Sequence, residues 1–321
     1  MPSIPRTMRA AVIDRFGPST VLKIREVTVP PIGADELLIK VHTAGVGSWD
    51  VDIRGGWWPE GKPKFPIILG TDGSGTVAAI GPRVRRFNVG DKVYGYAWMS
   101  PKGGCYAEYV VVPADKTAAI AGNLDLRKAG AILATGLTAA QGIDDHLKIK
   151  RGEDVIVHGA GGAVGTLALQ FAKLRGARVL ATATGRDGVA LVKRLGADAA
   201  ADGKKENLTE AAREFAPDGI DAIFATAGGK PLEQCMEMLK RSGRLGYPNG
   251  VEPEPKKRKG IKVLTYDAVP GVREFAKLNK AVEDGKIKVV IGAAFDLEDA
   301  AKAHQRIEAG HVLGKVVLKV R

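Results

Sequence analysis

The 321-residue chain is 45% hydrophobic and 26% charged, a balance that suits a soluble folded protein with room for two domains of ordinary size. Its formal net charge of +12 favours anionic partners, yet only Lys256-Lys257-Arg258-Lys259 forms a basic run, flanked by Pro253 and Pro255 in the manner of a solvated loop. No apolar run approaches the roughly 20 residues that span a bilayer, no apolar signal core opens the chain, and Cys105 and Cys235 are too few for a disulfide framework or a four-cysteine zinc site, so a cytoplasmic location is expected.

Up to about residue 120 the texture is one of short strands broken by Gly, Pro and Asp. The alternation predicts strands over Arg9–Ile13, Glu36–Thr43, Gly75–Ile80, Asp91–Tyr96 and Ala107–Val112. Gly81-Pro82 and Val89-Gly90-Asp91 read as turns between them. A compact, mostly antiparallel β domain is expected here.

From near Asp125 to about Tyr266 strands alternate with helices, the pattern of a doubly wound parallel sheet. Its most informative stretch is Val155-Ile156-Val157-His158-Gly159-Ala160-Gly161-Gly162-Ala163-Val164-Gly165. A short apolar strand there enters a small-residue turn and leaves as a helix. Gly161 and Gly162 would let backbone N–H groups approach a pyrophosphate, and Gly165 would let the helix pack closely on the sheet. Val164, Leu167, Ala168 and Phe171 recur at helical spacing, which predicts one buried face ending at Arg175-Gly176.

Further strands follow at Arg178–Thr182, Ile220–Phe224 and Gly243–Tyr247, with a helix ending at Arg194-Leu195-Gly196. The end of the second strand bears on the cofactor. An NAD-binding crossover usually carries an acidic residue there for the ribose hydroxyls, whereas this chain reads Ala181-Thr182-Ala183-Thr184-Gly185-Arg186. Hydroxyls from Thr182 and Thr184 and the guanidinium of Arg186 suit a 2′-phosphate. NADP is therefore favoured over NAD, although Asp187 follows directly. At the C-terminus a helical stretch from Leu297 to Ala309 precedes a strand over Gly314–Val320, which is expected to return to the first domain.

Several further segments stand in a set order: Ala44-Gly45-Val46 with Asp50 and Ile53-Arg54-Gly55, then Pro66 through Gly75, then Val89-Gly90-Asp91-Lys92-Val93. Gly104 with Tyr106-Ala107-Glu108-Tyr109-Val110, Gly136-Leu137-Thr138-Ala139, the Ala160-x-Gly162-x-x-Gly165 turn and Gly314-Lys315-Val316-Val317 complete the set. Together they resemble the medium-chain dehydrogenase/reductase superfamily, in its zinc-free, zeta-crystallin-like quinone oxidoreductase branch. The resemblance implies an α/β protein: a GroES-like β domain of residues 1–122 and 267–321, a Rossmann-type domain of residues 123–266, a cleft between them and a homodimer.

It also implies a cofactor site of Thr138, Ala160, Gly161, Gly162, Ala163, Val164, Thr182, Thr184 and Arg186. Tyr247 and Asn249, with Pro248, would form a wall beside the nicotinamide. Zinc-dependent relatives carry a Cys early in the first domain and a Gly-His-Glu segment later. This chain has Gly47 or Ser48 and Gly70-Thr71-Asp72 there, so no metal is expected. Without a Lewis acid the easiest reaction is hydride transfer from NADPH to a quinone or an α,β-unsaturated carbonyl, with the proton coming from a hydroxyl group or water.

Relatives often carry Asn at Gly47 and Tyr at Asp52, and another Tyr that helps hold the 2′-phosphate aligns with Gly203, where Lys204 or Lys205 could substitute. The catalytic residues are therefore unassigned. Gly47, Asp52, Trp57 and Trp58 are the substrate-pocket candidates, the tryptophans because a flat acceptor suits an aromatic wall. Asp50 and Asp72 are expected to be structural supports, Cys105 a buried thiol, and the histidines structural or on the surface. Two alternatives stay open: an enoyl-thioester reductase, and a zeta-crystallin-type protein that holds NADPH and binds RNA. Nucleic acid is not the expected partner, since no RNA-binding signature accompanies the basic run.

Overall fold

The computed structural model describes residues 4–59 and 61–321. In chain order the first part comprises β1 (Thr7–Ile13), β2 (Lys23–Thr28), β3 (Glu36–Val46), α1 (Ser48–Gly55), β4 (Ile67–Ile68), β5 (Asp72–Ile80), β6 (Lys92–Tyr96), β7 (Tyr109–Pro113), β8 (Thr117–Ala119) and α2 (Leu126–Gln141). There follow β9 (Asp154–His158), α3 (Ala163–Leu174), β10 (Arg178–Ala183), α4 (Gly185–Arg194), β11 (Ala199–Asp202), α5 (Leu208–Phe215), β12 (Ile220–Ala225), α6 (Lys230–Glu237), β13 (Leu239–Pro248) and β14 (Lys262–Tyr266). The chain ends with α7 (Val272–Asp284), β15 (Ile291–Asp296), α8 (Ala300–Glu308) and β16 (Lys315–Lys319).

Two compact units emerge. One comprises Met1–Ala134, Pro270–Glu283 and Ile291–Arg321; the other comprises Thr135–Val269 and Asp284–Val290. The division falls within α2, and the chain passes between the units more than once.

In the first unit β3 is the hub, pairing antiparallel with β5, β7 and β16. Its alternation places Leu37, Ile39 and Val41 in one apolar cluster and Leu38 in another, so both faces of the strand are covered. β1 divides its side chains in the same way: Ala11 and Ile13 go to the first cluster, Met8, Ala10 and Val12 to the second. β16 returns to the edge of β3 with Val317 opposite Gly45 and Leu318 opposite Ala44. That pairing brings Lys315 beside the start of α1.

In the second unit the strand order is β11-β10-β9-β12-β13-β14, and every pair is parallel. Counted from β9, this is the order 3-2-1-4-5-6 of a doubly wound sheet, whose chain direction switches between β9 and β12. Val155, Ile156 and Val157 are all fully buried, as expected for a parallel strand covered on both faces.

α3 departs from the single buried face that its spacing predicts. Residues 165–172 are buried on every side, while Val164 at its start is only half-buried. The helix stops as foreseen: Arg175 caps it, and Gly176 takes φ +78°, a left-handed conformation that favours glycine.

Candidate active site

The second unit builds a close glycine turn at its switch point, the place where such sheets can take a phosphate. β9 ends at His158, and Gly159 turns the chain with φ +76°. A Cβ on Gly159 would strike Thr226 Oγ1, just beyond β12. A Cβ on Gly165 would strike the Gly159 carbonyl oxygen, so α3 sits against the turn with no room for a methyl group. Gly162, the N-cap of α3, differs: its Cβ position has only the Gly159 oxygen at 3.6 Å, and its φ of −78° is open to any residue.

No side chain caps α3 and no acidic residue lies in its first turn. Its leading N–H groups, which no helix can satisfy internally, and the positive end of its dipole are therefore available to an anion. Ala163 and Val164, half-buried, stand at this end, while Ala160 and Gly161 are buried in the turn.

The threonines at the end of β10 separate in role. Thr182 is 1% exposed; its Oγ1 accepts from the Gly159 N–H at 3.3 Å and lies 2.8 Å from His158 Nδ1. The sequence assigns this hydroxyl to a 2′-phosphate, whereas the structure spends it on bracing the turn, because buried polar atoms take the nearest partners. Thr184 is the half-buried N-cap of α4 and makes no capping bond with its side chain. Arg186 lies exposed in the first turn of α4 and has no ion-pair partner among the described residues. Lys204 and Lys205 are also exposed. The neighbouring carboxylate of Asp202 is occupied by the backbone N–H groups of Gly185 (3.2 Å) and Lys204 (3.0 Å).

Tyr247 is 3% exposed and belongs to the apolar core of this unit, with its hydroxyl donating to Glu254 Oε1 at 2.9 Å. Burial and that carboxylate push its phenol pKa upward. The ring that the resemblance sets in a wall beside the nicotinamide is packed into the core of this unit. Asn249 is the exposed residue at this strand end, held by Thr265 and by Asp267 Oδ2 at 2.7 Å. Thr138 is half-buried on α2, and its carbonyl accepts from the Tyr266 hydroxyl at 2.7 Å.

The first unit holds a buried polar cluster around the start of α1. Gly47 N–H donates to Asp50 Oδ2 at 2.8 Å, the reach-back of a capping box. A Cβ on Gly47 would collide with the Trp49 ring, so the place where relatives often carry Asn is filled by indole. The Lys315 ammonium lies 4.7 Å from the centre of that ring. Trp49 Nε1, Lys315 Nζ and Asp72 Oδ1 are all buried with no hydrogen-bond partner among the described residues, and Asp72 Oδ2 accepts from Ala134 N–H at 2.9 Å.

Asp50 is 1% exposed and also accepts from Thr71 Oγ1 at 3.2 Å. Burial pushes its carboxyl pKa up to about 6, against the pull of the Gly47 N–H and the Lys315 charge. Cys105 is fully buried, and burial, aided by Asp72 and Asp50, holds its thiol well above the usual range.

The four substrate-pocket candidates are not gathered in one place. Gly47 opens α1, whereas Asp52, Trp57 and Trp58 lie near or beyond its other end, and eight helical residues span about 12 Å. Trp57 is 51% exposed with Trp98 at 6.1 Å, and Trp58 packs on Phe16 at 6.2 Å. Sequence reasoning missed Lys315 and Thr71 as members of the polar cluster. It also placed His304 among structural or surface residues, with no signal that it reaches Tyr106.

Zinc does not fit this cluster. Gly47, Ser48 and Thr71, which stand where zinc-dependent relatives carry ligands, offer neither thiolate nor imidazole, burial holds the nearby Cys105 thiol protonated, the Lys315 charge already acts on Asp50, and among the described residues no group of three His, Cys, Asp or Glu could hold a metal ion. A dinucleotide fits the second unit, through the close turn at Gly159 and Gly165 and the uncapped α3.

Comparison with known proteins finds relatives along most of the chain. Residues 33–122 match the alcohol dehydrogenase GroES-like domain, and residues 195–318 match a zinc-binding dehydrogenase domain. Quinone oxidoreductase of Rattus norvegicus is 32% identical over 326 residues, covering 98% of each chain. A solved NAD-dependent alcohol dehydrogenase shares 33% identity at a TM-score of 0.89, covering 98% of this chain and 100% of its own. A mycobacterial protein solved in complex with NADPH shares 29% identity at a TM-score of 0.85, with 98% and 100% covered.

The class is thus an oxidoreductase that joins a GroES-like domain to a Rossmann-type domain. The chain belongs to the medium-chain dehydrogenase/reductase superfamily, among its quinone oxidoreductases.

Proposed function

We propose that this protein is an NADPH-dependent reductase of quinones or α,β-unsaturated carbonyls that works without a metal ion, as a homodimer. The observation that carries the reading is the pairing of an uncapped α3, pressed on the turn at Gly159, with an unpaired Arg186 at the exit of the neighbouring strand. The first suits a pyrophosphate and the second a 2′-phosphate. When bound, NADPH supplies a hydride from C4 of its nicotinamide.

The first N–H groups of α3 hold the pyrophosphate, and the Arg186 guanidinium pairs with the 2′-phosphate. Ala160 N–H, bonded to the Thr182 carbonyl at 2.8 Å, keeps the turn from rearranging. An acceptor already activated by conjugation needs orientation and a proton rather than a Lewis acid. The missing metal donors around Gly47 and Thr71 support that choice of substrate over an unactivated alcohol.

Fluorescence titration with NADPH and NADH tests the cofactor, and NADPH oxidation against naphthoquinones, 2-alkenals, enoyl thioesters and primary alcohols tests the acceptor. NADPH is expected to bind at least tenfold more tightly than NADH, and Arg186→Glu to abolish that preference while sparing NADH. Equal binding of the two nucleotides, or turnover confined to the alcohols, would refute the proposal.

A further inference from the structure

In the second unit two strand ends meet at one buried carboxylate. β10 and β11 run parallel with Ala183 opposite Asp202, so both strands finish at the same edge of the sheet. Asp202 is 6% exposed. Its Oδ2 accepts from the Gly185 N–H at 3.2 Å, where α4 begins, and its Oδ1 accepts from the Lys204 N–H at 3.0 Å.

The main chain of Asp202 is held as well. Its carbonyl accepts from the N–H groups of Lys205 at 3.0 Å and Glu206 at 2.9 Å, and its own N–H donates to Glu206 Oε1 at 2.7 Å. Gly203 N–H donates to the Ala183 carbonyl at 2.8 Å. One residue thus ties the loop that leaves β10 to the loop that leaves β11. The tie matters most at Gly185, which takes φ +77°. Glycine by itself would let the chain turn there in many ways. Thr184, the N-cap, makes no capping bond with its side chain, so the first N–H of α4 is met instead by Asp202, 17 residues further along the chain.

Three cations ride on these tied loops. Arg186 follows Gly185, and Lys204 and Lys205 are themselves bonded to Asp202 through their backbone N–H groups. All three side chains are exposed, and none pairs with a carboxylate among the described residues. The acidic neighbours are engaged with backbone: Glu206 with the Asp202 N–H, and Asp187 Oδ1 with the Gly188 N–H at 2.9 Å. Gly203 adds no side chain between them, and a Cβ there would meet only the Ala183 carbonyl oxygen, at 3.8 Å. Unpaired cations of this kind suit a phosphate dianion, whereas ribose hydroxyls call for an acceptor.

We propose that Asp202 is the positioning residue for cofactor choice: by tying the exits of β10 and β11 it holds Arg186, Lys204 and Lys205 as one cradle for the 2′-phosphate of NADPH. The inference rests on the NADPH reading above and deepens it. The resemblance offers Lys204 or Lys205 only in place of a Tyr at Gly203, and leaves Asp202 out. A free carboxylate at this edge would repel a phosphate. Here both of its oxygens are bonded to backbone N–H groups, so the acid organises the cations and touches no part of the nucleotide.

Equilibrium titrations of the full-length protein with NADPH, NADH, adenosine 2′,5′-bisphosphate and AMP test this. The parent is expected to bind the bisphosphate at least tenfold more tightly than AMP. In Asp202→Asn the amide can accept at one of the two N–H groups and not at both. That variant is expected to weaken NADPH and the bisphosphate about tenfold while NADH and AMP stay within about twofold of the parent. Lys204→Ala and Lys205→Ala change exposed side chains. Each should weaken the two 2′-phosphorylated ligands about threefold with the melting temperature unmoved. Once Arg186, Lys204 and Lys205 are all replaced by Ala, adding Asp202→Asn should have no further effect on the preference.

An Asp202→Asn variant that weakens all four ligands by the same factor, or that keeps the parental preference, overturns the positioning role while the NADPH reading stands. Lysine variants that leave the preference untouched overturn the cradle in the same way. A parent that does not distinguish the bisphosphate from AMP brings down both. Because binding needs no turnover, a parent that takes NADPH and reduces no acceptor ends the reductase reading, and the same titrations still decide the role of Asp202.

Discussion

His158 shows how one buried side chain couples the turn after β9 to pH. It is 5% exposed, its Nδ1 lies 2.8 Å from Thr182 Oγ1, and burial lowers its pKa to about 4. A histidine depressed in the folded state contributes stability that is complete above its unfolded pKa of about 6.5. That stability is lost as pH falls through 6.5 toward 4. A shift of this size corresponds to about 3 kcal/mol. His158→Asn is expected to remove most of that acid sensitivity, seen as a smaller difference between urea-unfolding free energies at pH 7 and pH 4.5. Asp50 acts in the opposite direction: its raised pKa gives stability that is present below about 3.8 and lost as pH rises through about 6. Unfolding of Asp50→Asn should therefore gain on the parent between pH 4 and pH 7.5.

Among the elements, the turn into α3 separates a glycine needed for packing from one whose Cβ position is open. In Gly165→Ala the new methyl group would meet the Gly159 carbonyl, a backbone atom that cannot swing aside. Overpacking of this kind costs about 1–3 kcal/mol, so both thermal stability and NADPH affinity are expected to fall. Gly162→Ala meets nothing closer than 3.6 Å and has a permitted φ. The melting temperature without cofactor should then stay within a degree or two of the parent while, on the proposed reading, NADPH affinity drops because the added methyl group intrudes on the nucleotide. Equal melting losses in the two variants would contradict this assignment. The difference is invisible in the motif, where both positions are simply glycine.

For the molecule as a whole, a formal net charge of +12 would, on the proposed reading, make the association rate of anionic NADPH sensitive to salt. That rate should fall between 20 and 300 mM salt by more than the dissociation rate changes, since screening acts on long-range steering. Chelation followed by metal analysis addresses the other whole-molecule expectation. Activity should survive chelation, with no zinc retained in stoichiometric amount; loss of turnover that zinc alone restores would contradict the metal-free reading. Among the described residues no helix is long and apolar enough to cross a membrane.

What could be read along the chain was what depends on neighbours in sequence. The strand, glycine turn and helix from Val155 to Arg175 are set by backbone freedom, apolar periodicity and capping, all local effects. The alternation from β9 to β14 likewise allowed only a parallel, doubly wound sheet, and missing thiolates and imidazoles near Gly47 and Thr71 could be seen by inspection. Tertiary structure alone decided the uses of polar side chains. It turned Tyr247 into the core, spent the Thr182 hydroxyl on the turn, and set Lys315 beside Trp49. It also brought Tyr106 to His304 across 198 residues of sequence. The physical reason is that a buried polar atom must find its partner in space, and which partner is within 3 Å depends on how strands from distant parts of the chain pair, not on the residues on either side.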